Sequence, residues 1–176
     1  VSNSNNTTKC IYYNDKSQIV RNISPYLSNS KNIIVSSRQS AISNFPKMIR
    51  GSSLTDDGNL LLTQEERNVL VLNDERIEKH IKNYVSGQEF LKGISKYCFH
   101  ITEENISDAY QIEELVKRFK KVEIFRLKSS KKSTQNKAKT PHFFDEDKYK
   151  KGQFLLIPKT TSIRREYMPI GYFDDS

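Results

Sequence analysis

One stretch of this sequence sets the terms for the rest. Over residues 107–128 the apolar side chains Ile112, Leu115, Val116, Phe119, Val122 and Phe125 recur at spacings of three and four, the pattern of a helix with one apolar face. Lys117, Arg118, Lys120, Lys121 and Lys128 occupy its other faces, so the helix is basic and amphipathic, with its stripe turned to a core. The other apolar residues come in short runs rich in β-branched and aromatic side chains. Lys9 to Tyr13, Asn32 to Ser36, Tyr97 to Ile101, Phe154 to Ile157 and Met168 to Phe173 each read as a strand. One long helix among scattered strands predicts an α+β domain with a mixed or antiparallel sheet, flanking helices and long basic loops.

Local signals divide the chain further. Ser24-Pro25 is a turn or extended segment, because the residue before a proline is pushed out of the helical region. Asp56-Asp57-Gly58-Asn59 is a turn, and Thr63 with Glu66 three residues later is a capping box that opens a helix over about 64–72. Asn73 and Asp74 start another, with Ile77 and Ile81 on one face. At 176 residues the chain is the size of one domain, and its hydrophobic fraction of 35% predicts a modest core that nine Phe and nine Tyr enlarge. No run approaches the roughly 18 apolar residues of a membrane span and none reads as a signal peptide, which leads us to expect a cytoplasmic protein with no membrane partner. The Ser/Asn-rich start predicts a disordered lead over residues 1–8 ahead of a domain over 9–176, cut from a longer chain.

The net charge of +8 is unevenly placed. Residues 114–165 hold 16 Lys/Arg against 5 Asp/Glu, a net of +11, and the rest of the chain sums to −3. A field concentrated in this way attracts a polyanion, with nucleic acid first and an anionic membrane surface second. From Ser129 to Lys139 only Ala138 is apolar, so this segment either prolongs the helix as a solvated rod or forms a loop that orders on a polyanion. Pro158 to Tyr167 is a second polar, basic connection, whose tip from Thr160 to Glu166 carries hydroxyls and two arginines between apolar strands. Lys and Ser/Thr position a duplex backbone, whereas Arg, Asn and Gln read base edges. RNA readout favours exposed aromatics on a sheet, and here the aromatics fall in apolar strand runs.

The common catalytic constellations are missing from the sequence. Cys10 and Cys98 are too few for a disulfide framework and read as buried free thiols, and His80, His100 and His142 are scattered and read as structural. Six glycines form neither a phosphate loop nor a dinucleotide loop, and no Gly-x-Ser-x-Gly elbow or zinc-spaced histidine pair occurs. Glu146-x-Lys148 matches the acid-x-Lys triplet of metal-dependent nucleases but lacks a partner acid. We expect no catalytic residue, no metal site and no cofactor in this chain.

Several strings together resemble a known family. Asn22-Ile23-Ser24-Pro25-Tyr26-Leu27 is similar to an Asn-Ile-Asn-Pro-Tyr-Leu segment. Pro46-Lys47-Met48-Ile49-Arg50-Gly51, followed by Asp57-Gly58-Asn59-Leu60-Leu61-Leu62, resembles a Pro-x-Met-x-x-Gly and Asp-Gly-Gly-x-Leu-Leu-Leu block. Ile81 to Phe90, Thr140-Pro141-His142-Phe143-Phe144 and Leu155-Leu156-Ile157-Pro158 to Gly171 follow in the same order. From about residue 9 to its end the chain resembles the target-recognition domain of MmeI-like (type IIG/IIL) DNA methyltransferases.

The resemblance implies a non-catalytic domain that selects the DNA sequence for an S-adenosylmethionine-dependent N6-adenine methyltransferase in the same polypeptide, with or without an endonuclease. The catalytic Asn-Pro-Pro-Tyr string and cofactor loop of such enzymes are absent from this chain. The family's closing segment commonly reads Pro-Arg-x-Ser-Ser-Glu-x-Arg-x-Tyr-x-Pro-Ile-Gly, and here it runs from Pro158 to Gly171 with Ile163 where many relatives carry Glu. That departure implies a different recognised base.

On this reading Arg164 and Arg165, with Ser162 and Ile163 beside them, read base edges of duplex DNA. Lys131, Lys132, Ser133, Thr134, Lys137 and Lys159 hold phosphates, as do Ser36, Arg38, Lys47 and Arg50. The competing readings are a surface ion pair of the arginines with Glu166 and a solvated tail for the lysines. For the whole chain the alternatives are a module that binds RNA or an acidic protein and a small nuclease built on Glu146-x-Lys148.

Overall fold

The computed structural model describes residues 8–174, so the lead expected over residues 1–8 lies, apart from Thr8, outside the described residues. The chain divides into two compact units between Met48 and Ile49. In the first unit, β1 (Lys9–Tyr13) pairs antiparallel with β2 (Lys16–Val20), and Tyr13 faces Lys16 across the turn. The two turn residues Asn14 and Asp15 have φ of 45° and 62°, the mirror-image geometry that closes two-residue hairpins and that Asn and Asp tolerate best after glycine. Only β1 was legible in advance. Asn14-Asp15 was the available signal for its partner.

The strand expected over Asn32–Ser36 does not form. The Val35 amide donates to the Tyr26 hydroxyl at 2.7 Å instead of to a ladder, and the side chains of Ile33, Ile34 and Val35 are exposed. A β-rich composition becomes a strand only where a neighbour presents its edge. Ser24, by contrast, is buried in the expected turn, where its hydroxyl meets that of Ser28 at 2.8 Å.

The second unit is built on a three-stranded antiparallel sheet of β3 (Leu61–Leu62), β4 (Ile81–Tyr84) and β5 (Lys96–Phe99), with β5 in the centre. The Asp56–Asn59 turn leads into β3, and the Asp56 carboxylate accepts the Leu60 amide at 2.6 Å. α1 (Gln64–Asn73) then starts on the predicted capping box, with Thr63 Oγ1 accepting the Glu66 amide at 3.1 Å and the Glu66 carboxylate accepting the Thr63 amide at 2.9 Å. Thr63→Ala therefore lowers stability by about 1 kcal/mol, as a urea midpoint reads, and Thr63→Ser restores most of it. Asp74 caps a 3-10 turn over Glu75–His80, in place of the predicted α-helix, and α2 (Gly87–Lys92) follows β4.

The long helix expected over 107–128 is broken. α3 (Ile106–Ala109) ends at Tyr110, and α4 (Glu113–Leu127) restarts after Ile112. Ile112, Leu115, Phe119 and Val122 enter the core beside Leu60, Leu62, Ile77, Phe99 and Ile101, as the stripe predicted. Phe125 does not, being 36% exposed, and the place one residue on is taken by Arg126, which is fully buried. Cys98 is buried and its thiol is pushed up to about 12, first by burial, whereas Cys10 is only half-buried; both are free.

His80 and His142 are both buried. Neither ring nitrogen of His80 has a hydrogen-bond partner, and His142 uses only Nδ1, 2.9 Å from the Tyr110 hydroxyl. Desolvation is the main force holding both below the ordinary histidine range. The folded state thus keeps them neutral, while the unfolded chain protonates them below about pH 6.5. Their contribution to stability is full above that pH and falls as pH drops toward the folded values, by up to about 1.4 kcal/mol per pH unit for each. Urea midpoints between pH 7.5 and 5.5 should show this loss, and His80→Gln should flatten it.

Candidate nucleic-acid interface

β6 (Phe154–Leu156) and β7 (Gly171–Phe173) form an antiparallel pair, and the connection between them carries the predicted base-reading residues. Its stems are held against α2. A Cβ added at Gly171 would lie 2.4 Å from the Phe173 ring and 2.8 Å from that of Phe90, so only glycine lets β7 approach the helix this closely. At the other stem, buried Pro158 lies over Gly87, where an added Cβ would come within 3.2 Å of the Pro158 Cβ. Phe173 completes the seat, edge-on to Phe90 at 5.7 Å and stacked on Phe154 at 5.7 Å.

Between these stems the connection turns outward. The Arg164 amide donates to Ser162 Oγ at 3.2 Å and the Arg165 amide to the Ser162 carbonyl at 3.0 Å, a tight turn that faces both arginines outward. Ile163 at its tip is fully exposed. No carboxylate pairs with Arg164 or Arg165 among the described residues, so the ion pair with Glu166 is not formed. Lys159 is exposed at the first stem.

The second basic segment is neither a continuous rod nor a free loop. α5 (Lys132–Asn136) and a 3-10 turn over Lys137–Lys139 fold it into a corner, with Thr134 and Ala138 buried. Thr134 therefore faces the interior and is withdrawn from the phosphate candidates, while Lys131, Lys132 and Ser133 remain exposed around it. Lys137 is exposed too, although its ammonium donates to the Asp145 carbonyl at 3.0 Å.

Arg126 builds this corner. Its Nε donates to the Thr55 carbonyl at 3.0 Å, Nη1 to Lys137 and Thr140 at 3.0 and 2.9 Å, and Nη2 to Leu54 and Phe143 at 2.8 Å each. Five donors meet five main-chain carbonyls, so the charge is buried yet every N–H is satisfied. Burial lowers its pKa, but a guanidinium remains charged. Arg118 is likewise part of the frame, over the Phe99 ring and donating to the Asn59 carbonyl at 3.0 Å. Two of the basic residues of α4 are thus structural, which charge counting alone did not separate from the free lysines.

The remaining candidates are scattered. Ser36, Arg38 and Lys47 lie exposed in the first unit, and Arg50 lies exposed in the second. Glu146 uses its main chain to bridge to Ser53, and no group of three or more His, Cys, Asp or Glu suited to a metal occurs among the described residues. No helix among them is long and apolar enough to cross a membrane.

Comparison with known proteins is consistent with this arrangement. The family model described as the MmeI target recognition domain matches residues 29–176. The chain belongs to this family. Two relatives match over a larger share of the chain. DNA methyltransferase A of Bacillus subtilis (strain 168) is 31% identical over 166 residues, which is 93% of this chain and 18% of that protein. The solved structure of the type IIL restriction-modification enzyme MmeI in complex with DNA aligns with a TM-score of 0.82 at 37% identity, covering 96% of this chain and 23% of that one. This member of the MmeI target-recognition family therefore spans about a fifth of the length of the relatives it matches. Its α+β fold with antiparallel pairs agrees with that structure.

Proposed function

We propose that the chain selects the DNA sequence acted on by a methyltransferase in the same polypeptide. The observation that carries this reading is the β6–β7 connection. It holds Arg164 and Arg165 in solvent with no carboxylate partner among the described residues, on stems seated against α2. Two unpaired guanidiniums on a narrow, well-anchored turn suit the edges of bases in a major groove, where a bidentate contact to guanine is the commonest specific one. Lys131, Lys132, Ser133 and Lys137 on the Arg126-held corner, together with Lys159, then set the register on the phosphates. Exposed Ser36, Arg38, Lys47 and Arg50 add weaker backbone contacts. The solved MmeI relative was seen with DNA, which supports duplex DNA as the partner.

The reaction belongs to the rest of the polypeptide. We infer that the parent is an S-adenosylmethionine-dependent N6-adenine methyltransferase of the cytoplasm, in keeping with the methyltransferase relative. We assign the binding of that cofactor to the rest of the polypeptide. Gly58, Gly93 and Gly152 take positive φ, and Gly87 and Gly171 serve close packing. The chain contributes orientation and selectivity, and no chemical step is assigned to it.

The test is fluorescence anisotropy of the chain with random duplex DNA and with single-stranded RNA of equal length over a salt series. We expect duplex binding whose logarithm falls steeply with the logarithm of salt, at about −0.9 per phosphate contacted. Preference for RNA, or no duplex binding at low salt, would reject the reading. Lys131→Ala with Lys132→Ala should weaken binding to all duplexes alike and reduce the slope by about two.

A further inference from the structure

A second basic site includes Lys82 of the sheet's edge strand β4. Lys79, Lys82, His100, Thr102, Asn105, Tyr149 and Lys151 line an open cleft of about 550 Å³ within the second unit. The lining contains three lysines and no carboxylate. Lys79 is held at 2.6 Å by Asp108, and His100 Nε2 is 2.8 Å from an Asp147 carboxylate oxygen, so both side chains already have an acidic partner. Lys82 and Lys151 are exposed and make no ion pair among the described residues. Glu103 and Glu104, though between Thr102 and Asn105 in the chain, do not line the cleft.

The neutral donors point the same way. Asn105 Oδ1 accepts the Thr102 amide at 2.9 Å, which fixes the amide group and leaves its Nδ2 to donate elsewhere. The Thr102 hydroxyl adds a further donor in the wall. Two unpaired ammonium groups with an amide and a hydroxyl donor in one concavity match a tetrahedral oxyanion, for which lysine acts as a point charge and the neutral donors fix orientation. The wall is also tied to the corner already described by hydrogen bonds along residues 137–149. Lys137 bonds the Asp145 carbonyl, Glu146 bridges to Ser53, the Asp147 carboxylate accepts the Tyr149 amide at 2.9 Å, and the chain then reaches Lys151.

We propose that this cleft seats a phosphodiester of bound duplex DNA, a backbone contact separate from the lysine corner and the arginine turn; the proposal rests on the DNA-binding reading above. Free phosphate shares the same chemistry, and two arms distinguish the sources. In the first, duplex binding is followed over a salt series for the unaltered chain, for Lys82→Gln with Lys151→Gln, and for Asn105→Asp. The aspartate can still accept the Thr102 amide, so it keeps the turn while placing a negative charge in the cleft. We expect the lysine pair to reduce the salt slope by about two and Asn105→Asp to weaken binding several-fold, with unfolding midpoints unchanged in both. In the second arm, inorganic phosphate is titrated without DNA while the amide resonances of Lys82, Asn105 and Lys151 are followed. Saturable shifts in the low millimolar range, lost in the lysine pair, would show that a single phosphate suffices. Silence there combined with the expected slope change would assign the site to the duplex backbone alone. Duplex binding with an unchanged slope in the lysine pair would overturn the cleft and leave the wider reading standing. No duplex binding by the unaltered chain would overturn both.

Discussion

Replacing Arg126 by alanine should destabilise the second unit by about 3–5 kcal/mol, at the upper end of single-substitution effects, because it breaks a buried hydrogen-bond network. For a chain of this size that is a fall in melting temperature of roughly 6–20 °C. The cause is specific to the geometry. Five main-chain carbonyls, those of Leu54, Thr55, Lys137, Thr140 and Phe143, would lose their donor inside the fold, and an unsatisfied buried polar group costs about 1–3 kcal/mol. Arg126→Lys should recover only part of the loss, because a point ammonium with three donors cannot reach five acceptors spread around a planar fork. Thermal melts of the three proteins decide this. A drop below 1 kcal/mol for Arg126→Ala would mean that the corner is held by other contacts. Because α5 sits on that corner, the alanine variant should also lose the phosphate contribution of Lys131 and Lys132, although neither lysine is altered.

The second large effect concerns selectivity rather than stability. Arg164→Ala and Arg165→Ala, each in the full polypeptide, should relax base preference at one position of the recognised site. A bidentate arginine contact is worth about 1–3 kcal/mol of discrimination, roughly 5- to 150-fold. Sequencing of methylated sites in DNA treated with each variant reads this directly. Both arginines lie outside the core on an exposed turn, so melting temperatures should stay unchanged. An unchanged site profile for Arg165→Ala would remove that residue from base reading. Gly171→Ala offers a contrasting case, since the added methyl would press on the Phe173 and Phe90 rings and displace the stem. It should disturb selectivity at several positions together.

The local elements were legible where sequence and environment asked for the same thing. The Thr63 capping box and the Ile112, Leu115, Phe119, Val122 stripe depend on residues three or four apart along the chain, and both appear as read. The strand at Asn32–Ser36 failed because a strand needs an edge to pair with, and that partner is a tertiary fact. The break at Tyr110 was masked by an apolar spacing that continues across it. Arg126 was counted among basic residues, since nothing in its neighbours shows that five carbonyls from distant loops converge on it. At the candidate site, the polar, basic connection between two apolar strands was read from the sequence and lies between β6 and β7. Thr134 was misplaced because a short helix turned it inward, and the Lys82–Lys151 cleft was missed because its residues are separated by 69 positions in the chain.

The main-chain partners of Arg126 also determine how the domain responds to ionic strength. Its buried charge is matched with neutral carbonyls rather than with exposed acids, and buried interactions are screened far less than surface ones. The lysines and arginines offered to a polyanion, in contrast, stand in solvent, where added ions compete for every contact. If the domain binds DNA as proposed, raising salt should strip it from the duplex well before loosening the corner that carries those side chains. On the proposed reading, the protein releases and rebinds DNA without passing through a disordered state, so the same folded surface is available at each new encounter.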